Sequence, residues 1–158
     1  MTTHVAYGLA LGIGVIAGLR ALTAPAAVSL AAHFKWMKLG GTALAFIGST
    51  AVAVTLSILA IAEIVNDKLP KTPARTALPS FIVRIITGAF SGAAICLAAR
   101  HSIVAGIVLG ALGAIVGTLG GYHVRRVLVT WVKIPDFTVA LVEDAVAIIG
   151  AFFFVSRF

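Results

Sequence analysis

The sequence is short of charge, short of acid and nearly without cysteine. Charged residues fill 11% of its 158 positions, where a soluble domain carries about 25%. So few charges could not keep a chain of this length in water. The single cysteine, Cys96, excludes an intramolecular disulfide. Four histidines (His4, His33, His101 and His123) stand apart, without the spacing of metal ligands, so no metal and no cofactor is expected. None shares a helical turn with a carboxylate and a nucleophile, and the chain reads as a non-enzyme. A Gly-rich phosphate cradle is missing too. The formal charge of +7 fits loops facing anionic lipid better than it fits a nucleic-acid partner.

What remains is apolar. Hydrophobic residues make up 61% of the chain, above the about 45–50% of soluble domains. They fall in long blocks. Val5 to Ala32 is interrupted only by Arg20 and Pro25, and Thr42 to Val65 holds no charge before Glu63. Pro79 to Ala99 carries Arg84 alone, Ser102 to Val124 has no Lys, Arg, Asp or Glu, and Phe137 to Val155 is broken only by Glu143 and Asp144. A helix needs about 20 residues to cross the hydrocarbon layer. Runs such as Ala51–Ala62 do not alternate as barrel strands must. No basic residue precedes the first block, which is also too long for a signal-peptide core, so it reads as a span.

The expected fold is therefore all-α: one polytopic transmembrane helical domain over residues 1–158. About five transmembrane helices are expected, at about 5–32, 42–65, 79–99, 102–124 and 137–155. Four spans with one re-entrant segment is the alternative, because Pro25 can break the first block. With five spans, one face carries Lys68, Lys71, Arg75, Arg125, Arg126 and Lys133, with Arg84 just inside. The other carries Lys35, Lys38, Arg100 and Arg157. The excess of basic residues puts the N-terminus in the cytoplasm and the C-terminus outside.

All five acids (Glu63, Asp67, Asp136, Glu143 and Asp144) fall towards the cytoplasmic side. Asp67 follows Glu63 by one turn on the same face, and Glu143 repeats the face of Asp136. A charge within a span costs about 2.5–3.5 kcal/mol on insertion scales and usually faces the bundle interior or a wet cavity. Glu63 and Glu143 are thus candidate partners for the internal counter-charges Arg84 and Arg20. Such a cluster either fixes helix register or forms a polar site for an ion, a proton or a headgroup. Lys68, Lys71 and Arg75, in a loop stiffened by Pro70, Pro73 and Pro79, are expected at anionic headgroups, and Arg125 and Arg126 likewise. Trp131 and Lys133 add an interfacial anchor.

Glycines recur at steps of three and four: Gly106, Gly110, Gly113, Gly117, Gly120 and Gly121, with Gly8/Gly12, Gly14/Gly18 and Gly88/Gly92 repeating the four-residue step. Such faces let helix backbones approach closely, and a twofold homodimer is the first expectation for partners besides the bilayer. Gly14–Gly18 resembles Gly113–Gly117, which raises an inverted repeat.

The stretches Gly18-Leu19-Arg20-Ala21-Leu22-Thr23-Ala24-Pro25, Glu63-Ile64-Val65-Asn66-Asp67-Lys68-Leu69-Pro70 and Glu143-Asp144 resemble the small bacterial membrane proteins grouped as domain of unknown function 4126. The resemblance covers nearly the whole chain. It implies a multi-pass protein of the bacterial inner membrane, marks Arg20, Glu63, Asp67, Lys68, Pro70 and Glu143 as signature positions, and supplies no substrate. Two functions fit the residues. One is a small transporter or channel for cations or protons, with Glu63, Glu143, Asp144, Asp67 and Asp136 as binding candidates. The other is a non-transporting scaffold that binds anionic lipid.

Overall fold

A computed structural model gives the fold and describes residues 1–68 and 77–158. Among the described residues there are six α-helices, one short 3-10 turn at Ala45–Gly48 and no strand. The helices are α1 (Thr3–Leu19), α2 (Thr23–His33), α3 (Thr50–Asn66), α4 (Leu78–Ala98), α5 (Ile103–Thr130) and α6 (Asp136–Val155). Of these, α4, α5 and α6 are long and apolar enough to cross a membrane, and α1 and α3 are shorter apolar helices.

The block at 5–32 is two helices, not one. Pro25 is the reason. It lies in the first turn of α2, where a missing N–H is no loss. Its ring would clash with the carbonyl of Ala21 if the helix continued backwards. The chain therefore leaves α1 at Arg20, whose backbone is extended (φ −139°, ψ 111°). The second block shortens to α3, because Thr42–Ser49 forms turns, and the fourth lengthens to Thr130.

The two arms of the first block form a hairpin. Met1 and Tyr7 meet His101 after the end of α4. The far end of α2 returns to the same end of the bundle, where His33 shares a cavity wall with Leu97 and Arg100. Arg20 is the hairpin's tip. The remaining helices alternate in direction. The Phe154 ring lies against Gly12, so the end of α6 packs on α1 and runs towards the end where α1 begins. Both termini thus lie at one end, whereas five spans would separate them.

Glycine sets how closely these helices pack. A Cβ on Gly14 would overlap the Gly110 carbonyl, and one on Gly18 would strike Ala114 and Thr118. On the other flank, Gly88 and Gly92 lie against Gly110 and Gly106. So α5 runs parallel to α1 and antiparallel to α4, with glycine at both crossings. Gly14–Gly18 and Gly113–Gly117 lie on parallel helices in contact, and so do not mark an inverted repeat. The glycines at these crossings are covered within the chain, whereas Gly8 and Gly120 face open space.

Ile13, Ile16, Val28, Ile95 and Ala151 form the sealed core shared by α1, α2, α4 and α6. Large apolar side chains such as Ile61, Val116 and Ile149 are more than three-fifths exposed, as on a lipid-facing perimeter.

Gly14→Ala and Gly110→Ala are expected to destabilise the bundle by about 1–3 kcal/mol, the usual cost of overpacking. Gly8→Ala and Gly120→Ala, where a Cβ meets open space, are expected to be neutral. Thermal unfolding in mild detergent distinguishes the two pairs.

Candidate functional site: the ionic cluster at the hairpin tip

Breaking a helix inside an apolar bundle exposes backbone groups that must find partners. Ionic side chains from neighbouring helices supply them. The Glu63 carboxylate accepts hydrogen bonds from Ala21 N and Leu22 N, both at 2.8 Å. On the other side of the break, Arg84 Nη1 donates to the Gly18 and Leu19 carbonyls at 2.8 and 2.7 Å. Each charge matches its helix end, an acid at the positive start of α2 and a cation at the negative end of α1. Glu63 and Arg84 also face each other at 3.9 Å. Thr118 Oγ1 adds a hydrogen bond to the Gly18 carbonyl.

Arg20 itself is fully buried. Its Nη1 lies 2.6 Å from Asp67 Oδ2 and its Nη2 lies 2.5 Å from Asp144 Oδ1. Lys68 Nζ holds the other Asp144 oxygen at 2.6 Å and donates to the Ile64 carbonyl. Arg125 reaches Asp67 at 3.6 Å and Glu143 at 3.7 Å. It also forms a two-pronged bridge to Asp136 at 2.9 and 2.8 Å. The contacts run inward from Asp136, whose side chain is 59% exposed, through Arg125 to Asp67, Arg20 and Asp144. Among the described residues, five carboxylates and four cations take part. Two buried polar atoms, Arg20 Nε and Thr23 Oγ1, have no hydrogen-bond partner among the described residues.

Depth follows from α5. The tip is level with Thr118, and the 12 residues from there to Thr130 extend about 18 Å further. Arg20 thus lies near the middle of the longest helix.

Every acid expected at the site is here, with both counter-charges. The pairing differs in part. Arg84 does meet Glu63, but Arg20 meets Asp67 and Asp144 rather than Glu63 or Glu143. Lys68 and Arg125, expected at lipid headgroups, turn inward to carboxylates. Arg126 is exposed, and Lys71 and Arg75 lie outside the described residues. Arg125 was the residue most easily missed. Its only signal was that Asp136 and Glu143 share a face with no cation of their own. Among the described residues, no group of three His, Cys, Asp or Glu side chains is placed to hold a metal ion.

A broken helix whose ends are held by ionic side chains, set in a bundle with an apolar perimeter, defines a polytopic helical membrane protein with an internal charge cluster. The chain belongs to the family described as Domain of unknown function (DUF4126), which matches residues 7–156. No curated protein and no solved structure matches it.

Arg20→Met would leave Asp67 and Asp144 facing each other's charge without their shared cation, and should cost about 3–5 kcal/mol. Adding Asp144→Asn should recover part of that loss. Glu63→Gln removes a charged acceptor and should cost about 1.5–3 kcal/mol. Unfolding of the single and double variants in detergent measures each effect, and additivity of Arg20→Met with Asp144→Asn would count against a direct pair.

Proposed function

We propose that the protein is a small transporter or channel for cations or protons, and that the cluster at the hairpin tip is its binding site. One observation carries this reading: carboxylates from two helices meet a fully buried guanidinium at a helix break. Discontinuous helices with polar ends turned to a central site are a recurrent device of secondary transporters. Intramembrane ionisable groups are functional candidates by default.

Roles follow from chemistry. Arginine keeps its proton, so Arg20, Arg84 and Arg125 serve as fixed counter-charges. The carboxylates are the groups that can gain and lose a proton or a cation. Asp136 offers the entry, being the most exposed acid of the cluster. Glu143 and Asp67 follow behind Arg125, and Asp144 lies deepest with Arg20. A proton or cation arriving at Asp67 or Asp144 would weaken the hold on Arg20, and release of that side chain would loosen the hairpin tip. Arg20 Nε and Thr23 Oγ1, without a hydrogen-bond partner among the described residues, support a polar site over a saturated bridge, since buried polar groups are normally satisfied.

The alternative is a non-transporting scaffold that binds anionic lipid. It is favoured by the contact that each of the five carboxylates makes with a cation. In that case the cluster only locks helix register.

We also propose the bacterial inner membrane as the site, with the cluster end of the bundle facing the cytoplasm. Lys68, Arg125, Arg126 and Lys133 belong to that end, and the sequence joining α3 to α4 adds Lys71 and Arg75. Since the hairpin returns the chain, this orientation puts both termini outside, opposite to the five-span expectation for the N-terminus.

Proteoliposome flux assays with protons, monovalent and divalent cations test the transport reading. Wild-type flux is expected, and Glu143→Gln should abolish it while the protein stays folded. A folded wild type that moves none of these ions would leave the scaffold reading standing. Labelling of Lys133→Cys and Arg157→Cys from either side of the membrane tests the orientation, with the buried Cys96 giving little background. The two sites should label from opposite faces, Lys133→Cys from the cytoplasm.

A further inference from the structure

The end of the bundle opposite the acidic cluster has a different character. An open cavity of about 780 Å³ lies there between the ends of α2 and α4 and the start of α3. Lys35, Lys38, Arg100 and His33 line it, and no carboxylate does. Every acid of the chain is engaged at the other end. Among the described residues, Lys35, Lys38 and Arg100 have no anionic partner.

Two of these cations stand where the backbone favours glycine. Lys35 has φ +63° and Arg100 has φ +60°, each just past a helix C-terminus. The left-handed turns are closed by Trp36 N to the Ala31 carbonyl and by His101 N to the Cys96 carbonyl. Glycine is the usual residue there because a side chain is strained in this conformation. A cation at a helix C-terminus is favourable in itself, and Lys133, with φ +59° after α5, shows the same habit. The dipole accounts for the sign of each charge. It does not account for two strained cations and Lys38 converging on one cavity, which self-repulsion opposes. The start of α3 also borders the cavity, with Ser49 capping Val52 N, so its positive end adds to the field. Beside the cavity, Phe34 and Trp36 are exposed, with ring centroids 6.3 Å apart and planes tilted by 36°, and tryptophan is a ring expected at headgroup level.

We propose that this cavity binds a phosphate group, presented by an anionic lipid headgroup or free in solution. Lys35, Lys38 and Arg100 neutralise it, and the flanking Phe34 and Trp36 favour the lipid source. The site is independent of the transport reading, since it shares no residue with the ionic cluster.

The experiment is thermal unfolding of the purified full chain in neutral detergent at constant ionic strength. Short-chain phosphatidylglycerol is compared with phosphatidylcholine, and sodium phosphate with sodium chloride. A ligand of the folded state raises Tm by mass action. The expected result is a rise with phosphatidylglycerol over phosphatidylcholine. A rise with sodium phosphate as well supports the same site and assigns the free anion as a second source. The decisive variant is Lys35→Gly/Arg100→Gly. Glycine suits both backbone positions, so the variant should fold with a Tm close to wild type without ligand, yet lose the rise. Lys38→Gln should reduce it, and Lys133→Gly, at the far end, should keep it. No rise with either probe in the wild type, or an undiminished rise in both Lys35→Gly/Arg100→Gly and Lys38→Gln, would overturn the proposal.

Discussion

A guanidinium with no exposed surface, held between Asp67 and Asp144, is the constraint around which this bundle is organised. Arg20 could not remain in an apolar interior alone. Its partners come from the end of α3 and the third turn of α6. Ion pairing does here what glycine does along α5. It fixes where elements stop as well as that they touch. Neither device is interchangeable with ordinary apolar packing, because lipid competes for apolar side chains but not for charges or for close backbone contact.

Burying this many charges is not a route to stability in itself. Desolvation can exceed the attraction between paired ions, and an apolar replacement of such a cluster is often no less stable. The cluster nevertheless gathers charges from α3, α4, α5 and α6 around Arg20 at the hairpin tip. A bundle stabilised only by packing has no need of a helix break that requires Glu63 and Arg84 to complete its backbone.

Much of this was legible in the residues. Block lengths gave the apolar helices to within a few residues for α4 and α6, and rarity alone singled out the acids, Arg20 and Arg84. What stayed hidden depends on three-dimensional return of the chain. Pro25 announced a break but not its direction: an extended Arg20 could equally have led to a kinked continuous span. Pairing partners were hidden for the same reason. Periodicity puts Asp136 and Glu143 on one face, but only the turn between α5 and α6 brings Arg125 across to them. Lys68 looked like a loop cation because it follows the last turn of α3; its inward reach to Asp144 depends on where α6 sits. Glycine spacing showed close contact without saying whether the neighbour was the same chain or another.

The hairpin also has a history to satisfy. Its two arms and Arg20 emerge during synthesis before Asp67, and longer still before Asp144. An arginine at mid-helix is disfavoured by the bilayer, and the short α2 cannot cross it unaided. The hairpin thus precedes in the chain the acids of α3 and α6 that hold its tip, so the order in which these segments are synthesised runs opposite to the order in which their charges can be buried.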